Sequence, residues 1–135
     1  MPIEERAVGQ TTSVGFQIGV RRTLPCTEEA LWQLLTSEEG LTIWLGGPIP
    51  LQQRTPYTLV DGTSGELRVF RPRSPLRLTW QPRGWAAPAT VQVRVLPAKS
   101  GATLSIHQEW LPDGATRIAM KAHWEGVITR LAALL

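Results

Sequence analysis

The residues of this chain with chemistry to offer are few. They are two histidines, one cysteine, a glutamine in an apolar run, and six tryptophans. His107, Gln108 and Glu109 are consecutive, His123 and Trp124 are adjacent, and Cys26 stands between Pro25 and Thr27. A histidine, with an ordinary pKa of ~6.5, suits general acid–base work. Nucleophilic catalysis asks for more: a Ser or Cys with a base and an orienting acid. The chain has no Gly-x-Ser-x-Gly stretch, and Cys26 has no partner visible in the sequence. A thiol at a helix start can be acidic, but a half-buried structural Cys26 is the expectation. A metal centre wants a cluster of His, Cys, Asp or Glu. His107 and His123 lie on different elements with no third ligand in view, so neither a metal nor a cofactor is expected. The stretch WLGGP, Trp44 to Pro48, ends in proline and lacks the lysine of a phosphate loop. What remains is recognition by tryptophan, a large apolar face with one N–H to satisfy.

The elements that position these residues follow from the periodicity. Residues 12–22 alternate, with Phe16, Ile18 and Val20 on one face, and read as a half-buried strand. Pro25 ends it, and Thr27 offers a helix N-cap followed by Glu28 and Glu29. Leu31, Leu34 and Leu35 give the first helix its spacing, and Leu41, Trp44 and Leu45 give a second short one. A turn-rich connection over 46–56 leads to a meander. The short strand YTLV, Tyr57 to Val60, comes first; then Leu67 and Val69 face inward, then Leu76, Leu78 and Trp80, then Val91, Val93 and Val95. In the last strand Leu104, Ile106, Gln108 and Trp110 fall on the inward face, with His107 and Glu109 outward. Such a sheet is apolar on one side and needs a cover. Residues 116–135 supply it, with Met120, Trp124, Val127, Ile128, Leu131, Leu134 and Leu135 in one helical stripe about 30 Å long. Gly126 fits such a helix if its backbone must approach the sheet closely. The order β-α-α-β-β-β-β-β-α, with about six antiparallel strands, is an α+β arrangement.

Composition narrows the function classes. The 135 residues fit a flexible N-terminal segment, 1–11, and one domain, 12–135. The net charge of +3 is carried mostly by scattered arginines, with Lys99 and Lys121 the two lysines. No basic stripe with interleaved aromatics is present, so no nucleic-acid partner is expected. No apolar run approaches the ~18 residues of a membrane span, and no signal peptide opens the chain. A lone cysteine leaves no internal disulfide. A cytoplasmic protein is expected.

Several stretches carry a resemblance. ALWQLLTSEEGLTIWLGG, GELRVFRPRSPLRLTW and GATLSIHQEWL are similar to segments of the SRPBCC superfamily, the START or birch-pollen-allergen fold. Within it the chain most resembles the domain related to the activator of the heat-shock chaperone ATPase. His107, Gln108, Glu109 and Leu111, followed by Arg117, Met120, His123, Trp124, Val127 and Leu131, resemble one bacterial branch. The likeness spans about residues 14–135. It implies a helix-grip fold, a curved antiparallel sheet wrapped around the long C-terminal helix. Two departures stand out. QQRTPY, Gln52 to Tyr57, replaces a Gly-Gly pair, and His123 replaces a glycine of the wider family.

The expected site is a space between sheet and closing helix, walled by Trp44, Trp80, Gln108, Trp110, Met120 and Trp124. Burying an amide without a partner costs several kcal/mol on apolar transfer scales, on the order of 2–7. Inward Gln108 is therefore bonded, at the rim, or facing a wet cavity. Trp85, in a Pro- and Gly-rich loop, could gate such a cavity or meet a protein. The leading expectation is a non-catalytic domain binding a small hydrophobic or aromatic molecule. The alternatives are a protein-interaction domain akin to the chaperone activator, and a cyclase- or dehydratase-type enzyme using the same cavity. His107 is expected at the surface, with Glu109 and Arg117 making a salt bridge or cap at the strand–helix corner. Exposed sheet edges allow a homodimer.

Overall fold

The computed structural model describes residues 10–11 and 15–135. Residues 1–9 of the expected N-terminal segment, and 12–14 of the expected first strand, lie outside the described residues. Thr11 donates from its N–H and its hydroxyl to the Gly15 carbonyl, and Gln10 bridges Phe16.

Nine elements follow in the expected order: β1 (Phe16–Leu24), α1 (Glu28–Thr36), α2 (Glu38–Trp44), β2 (Thr55–Thr58), β3 (Ser64–Phe70), β4 (Leu76–Trp80), β5 (Ala89–Ala98), β6 (Gly101–Leu111) and α3 (Gly114–Ala132). The strands form one antiparallel sheet in the order β1-β6-β5-β4-β3-β2. α3 packs on β1 and β6, α1 on β5 and β6, and α2 against α3. The fold is the α+β helix grip that the order of elements implied.

Local chemistry starts each helix. Thr27 accepts from the Ala30 N–H at 3.0 Å, Ser37 from the Gly40 N–H at 3.0 Å, and Asp113 from the Thr116 N–H at 2.7 Å. Each such cap satisfies a donor the helix cannot, worth about 1 kcal/mol. Ser37 both ends α1 and starts α2, so the two helices meet at a sharp corner. Gly40 is required there: a Cβ would stand 1.7 Å from the Leu34 carbonyl oxygen. The Trp44 indole N–H donates to the Leu35 carbonyl at 2.8 Å and fastens the corner.

The inward alternation of β4, β5 and most of β6 is as expected. Leu76, Leu78, Val91, Val93, Val95, Leu104 and Ile106 are buried. Two bulges break it. Between Leu67↔Leu78 and Val69↔Arg77 the register shifts. Val69 therefore shares Arg77's outer face, contrary to expectation, and Phe70 turns inward to stack on Trp32 with ring centroids 5.8 Å apart. The second bulge sits between Ile18↔Gln108 and Phe16↔Leu111, where Gln17 opposes both Glu109 and Trp110. An extra residue in one strand resets the side-chain period. Trp110 takes a φ of 65°. It points outward, 51% exposed, rather than inward, and Leu111 takes the buried place.

Three smaller corrections concern other segments. The first meander strand is Thr55–Thr58, not Tyr57 to Val60, and Val60 is fully exposed. The α3 stripe holds from Met120 through Leu131, but the helix is capped at Ala133, so Leu134 and Leu135 leave the stripe and are exposed. Gly126 makes no close approach: nothing lies within 4 Å of where its Cβ would stand. With no packing reason for glycine, Gly126→Ala should raise stability by about 1 kcal/mol through helix propensity. Leu131→Ala, on the buried stripe, should lower it by about 2–5 kcal/mol. Urea-unfolding midpoints of the two variants check both signs.

Candidate functional site

The site is built on β6 and α3. Gln108 is on the inward face of β6, 0% exposed, opposite Val91 on one side and Ile18 on the other. Trp124 lies over it on α3. The Trp124 indole N–H donates to Gln108 Oε1 at 2.8 Å. An indole N–H can only donate. The amide oxygen must therefore face Trp124, and this fixes the amide's orientation. Gln108 Nε2 is buried and has no hydrogen-bond partner among the described residues. Such a buried donor carries a penalty of roughly 1–3 kcal/mol.

Aromatic rings extend from this bond. Trp80, on β4, stands 6.2 Å from Trp124 between ring centroids and 6.5 Å from His123. His123 lies edge-on to Trp124 at 4.7 Å. Trp85, from the loop after β4, meets Trp80 edge-on at 5.5 Å. Edge-to-face pairs at these separations are the favoured aromatic geometry. His123 packs against these rings from an exposed position on α3. Partial desolvation there holds its pKa below the ordinary value, and the charge of Arg130 adds to the shift.

A cleft opens beside the cluster at the N-terminal end of α3. Its volume is about 460 Å³, within the ~300–1,000 Å³ of small-molecule sites. The loop residues Gly84, Trp85, Ala86 and Ala87 form one wall; Trp110, Leu111 and Pro112 at the end of β6 and Thr116 on α3 form the others. The β6 bulge is what turns Trp110 toward this cleft and away from the core. Thr116, Met120 and Trp124 are spaced four apart, so they share one face of α3. That face leads from the cleft past buried Met120 to the Gln108–Trp124 bond.

The expected wall is thus only partly assembled. Trp80, Gln108 and Trp124 come together, and Met120 is buried one turn before Trp124. Trp44 is a core wedge at the α1–α2 corner, bonded to Leu35. Trp110 is at the outer rim. Of the cleft's other residues Trp85 was expected as a gate, and Gly84, Ala86, Ala87, Leu111, Pro112 and Thr116 were missed. Their signal was a proline on each side, in QPRGWAAP and in LPDGAT, marking two loops that converge at one end of the sheet.

The other candidates lie elsewhere. His107 is on the outer face, with Nε2 2.9 Å from Gln17 Oε1 and Nδ1 3.4 Å from Glu109 Oε1. Arg117 does not meet Glu109 in the expected corner pair; its Nε donates to the Gln17 carbonyl at 2.8 Å. Cys26 is half-buried, and burial pushes its thiol pKa up, the opposite of the shift that activates a cysteine nucleophile. The sheet separates His107 from His123. Among the described residues no group of three His, Cys, Asp or Glu is placed to hold a metal ion. Nor is any helix among them long and apolar enough to cross a membrane.

A sheet gripping a C-terminal helix, with a cleft at the helix's start, defines an SRPBCC-type domain. Residues 25–135 match the activator of Hsp90 ATPase homolog 1-like proteins, and the chain belongs to that family. No curated protein sequence matches it. Solved structures share the fold. DynU16, a protein of the dynemicin biosynthetic locus, is 20% identical with a TM-score of 0.77, over 87% of this chain and 46% of its own. The chain thus spans about half the length of DynU16. CalU16 from Micromonospora echinospora is 18% identical with a TM-score of 0.76, over 87% and 73%. MLL2253 from Mesorhizobium loti is 21% identical with a TM-score of 0.74, over 87% and 95%.

Trp124→Phe removes the indole donor and leaves the whole Gln108 amide unpaired. It should cost about 1–3 kcal/mol beyond a control Trp80→Phe, read from urea midpoints. His123 also makes a pH signature. Its folded pKa is depressed, so the unfolded chain binds more protons between that value and ~6.5. Its contribution is fully present above pH ~6.5 and is lost as pH falls toward the folded pKa. The stability difference between the native protein and His123→Gln should therefore shrink from pH 7.5 to pH 5.5, measured by denaturant titration at each pH.

Proposed function

We propose that this chain is a non-catalytic binding domain for a small hydrophobic or aromatic molecule. The molecule enters the cleft at the start of α3, and its inner end lies between sheet and helix. One observation carries the reading: two tryptophans, Trp85 and Trp110, wall an otherwise largely apolar cleft, and Trp85 is continuous with the ring cluster of Trp80, His123 and Trp124. Apolar walls with a few placed polar groups are what such a site needs. An acid–base pair is not among the cleft's lining residues, which is why binding is preferred over the cyclase- or dehydratase-type alternative.

Titration with the fluorescent probe 1-anilinonaphthalene-8-sulfonate tests it. Saturable one-to-one binding is expected, weakened at least about fivefold by Trp85→Ala and by Trp110→Ala and unchanged by Val60→Ala, each stacked ring being worth about 1 kcal/mol. Equal binding by all four proteins would overturn the assignment of the cleft.

The family and the half-exposed Trp110 support a second reading, a protein-contact domain akin to the chaperone ATPase activator. A chaperone ATPase assay separates the two. Stimulation that Trp110→Ala abolishes favours the contact reading, and no stimulation removes it.

A further inference from the structure

The buried Gln108 amide specifies more about the bound molecule. This inference rests on the aromatic-binding reading and names the ligand's chemistry within it. We infer that Gln108 Nε2 donates to a carbonyl oxygen on an aromatic ligand, such as a ring ketone or quinone, so that the site selects such carbonyl-bearing rings over plain hydrocarbons.

Three observations meet here. Trp124 takes the amide oxygen of Gln108 at 2.8 Å. Because an indole cannot accept, the NH₂ group must point elsewhere. That group is buried and unpartnered. A protein that only needed an acceptor for Trp124 would be better served by a group without two stranded donors. The third observation is the path. Leu111 on β6 lines the cleft, and Gln108 is three residues back along the strand, about 10 Å inward. Thr116 lines the cleft on α3, and Trp124 is eight residues on, about 12 Å along the same helix face. Met120 lies between them on that face. Its unbranched thioether side chain adapts at low energy, so it is the group that must shift to admit a ring. A two-ring molecule seated against Trp85 and Trp80 then reaches Gln108 with an oxygen at its inner edge. The stranded N–H groups of Gln108 Nε2 need an acceptor oxygen. That requirement distinguishes a ketone from a purely apolar ring.

The test compares 1-tetralone with tetralin, which has the same ring skeleton without the oxygen. Isothermal titration of the native protein should show about tenfold tighter binding of the ketone, as expected when a buried donor is left unpaired by the analogue. Gln108→Met should erase the preference while retaining tetralin binding. Because that variant also removes Trp124's acceptor, a second measurement uses the native protein alone. The ¹H–¹⁵N signals of the Gln108 side-chain amide should move on adding 1-tetralone and stay in place with tetralin. Equal affinity for both compounds, or unmoved amide signals with the ketone bound, overturns the inference and leaves the aromatic-binding reading standing. Failure of both compounds to bind the native protein overturns that reading and this inference together.

Discussion

One buried hydrogen bond, from the Trp124 indole to Gln108 Oε1, couples the sheet to its closing helix at a fixed depth and rotation. Apolar contacts alone tolerate sliding and repacking. A buried polar bond does not, because breaking it strands both groups away from water. With Trp124 held over Gln108, the rest of the α3 face is aimed. Val127, Ile128 and Leu131 are fully buried, and Met120 and Thr116 are carried toward the end of the sheet where the two loops converge. His123, next to Trp124, is set edge-on to it and against Trp80 by the same constraint.

The β6 bulge complements that bond. Without it, alternation would place Trp110 in the core beside Gln108 and Leu111 at the surface. With it, the core closes on a leucine and a tryptophan is released to the cleft. One inserted residue thus divides β6 into a packing segment and a recognition segment. The same segment carries His107 and Glu109 on the outer face, bonded to Gln17 and to each other. His107, Gln108 and Glu109, consecutive in the sequence, are divided between the two sides of the sheet by the strand's alternation, as expected.

Much of the fold was legible in the sequence because it rests on local signals. The cap Thr27, the alternation of Val91, Val93 and Val95, and the α3 stripe from Met120 to Leu131 are short-range signals that tertiary structure obeyed. The family match over residues 25–135 agrees with the resemblance read from the motifs. The site was less legible. Trp110 and Val69 were misplaced by bulges, and a bulge is an extra residue counted against a partner strand, which one strand's own periodicity does not show. Trp44 looked like a cavity wall, yet its indole serves the α1–α2 corner, a contact nine residues away that hydrophobicity does not encode. Gln108 was read correctly as inward, and its bond was one of the outcomes left open. The orphaned nitrogen on its far side became visible only with the donor named.

The two bulges also act on how the chain finds its pairing. In a plain alternating sheet, a slip of one residue exchanges every inner side chain for an outer one. Here a slipped β6 would bury Ser105 and His107 while exposing Leu104 and Ile106. It would also leave the extra residue at Glu109–Trp110 without its place opposite Gln17. The irregularity serves as a key that fits one alignment of β1 and β6. The kink that makes room for recognition is therefore also a proofreading mark for the strands beside it.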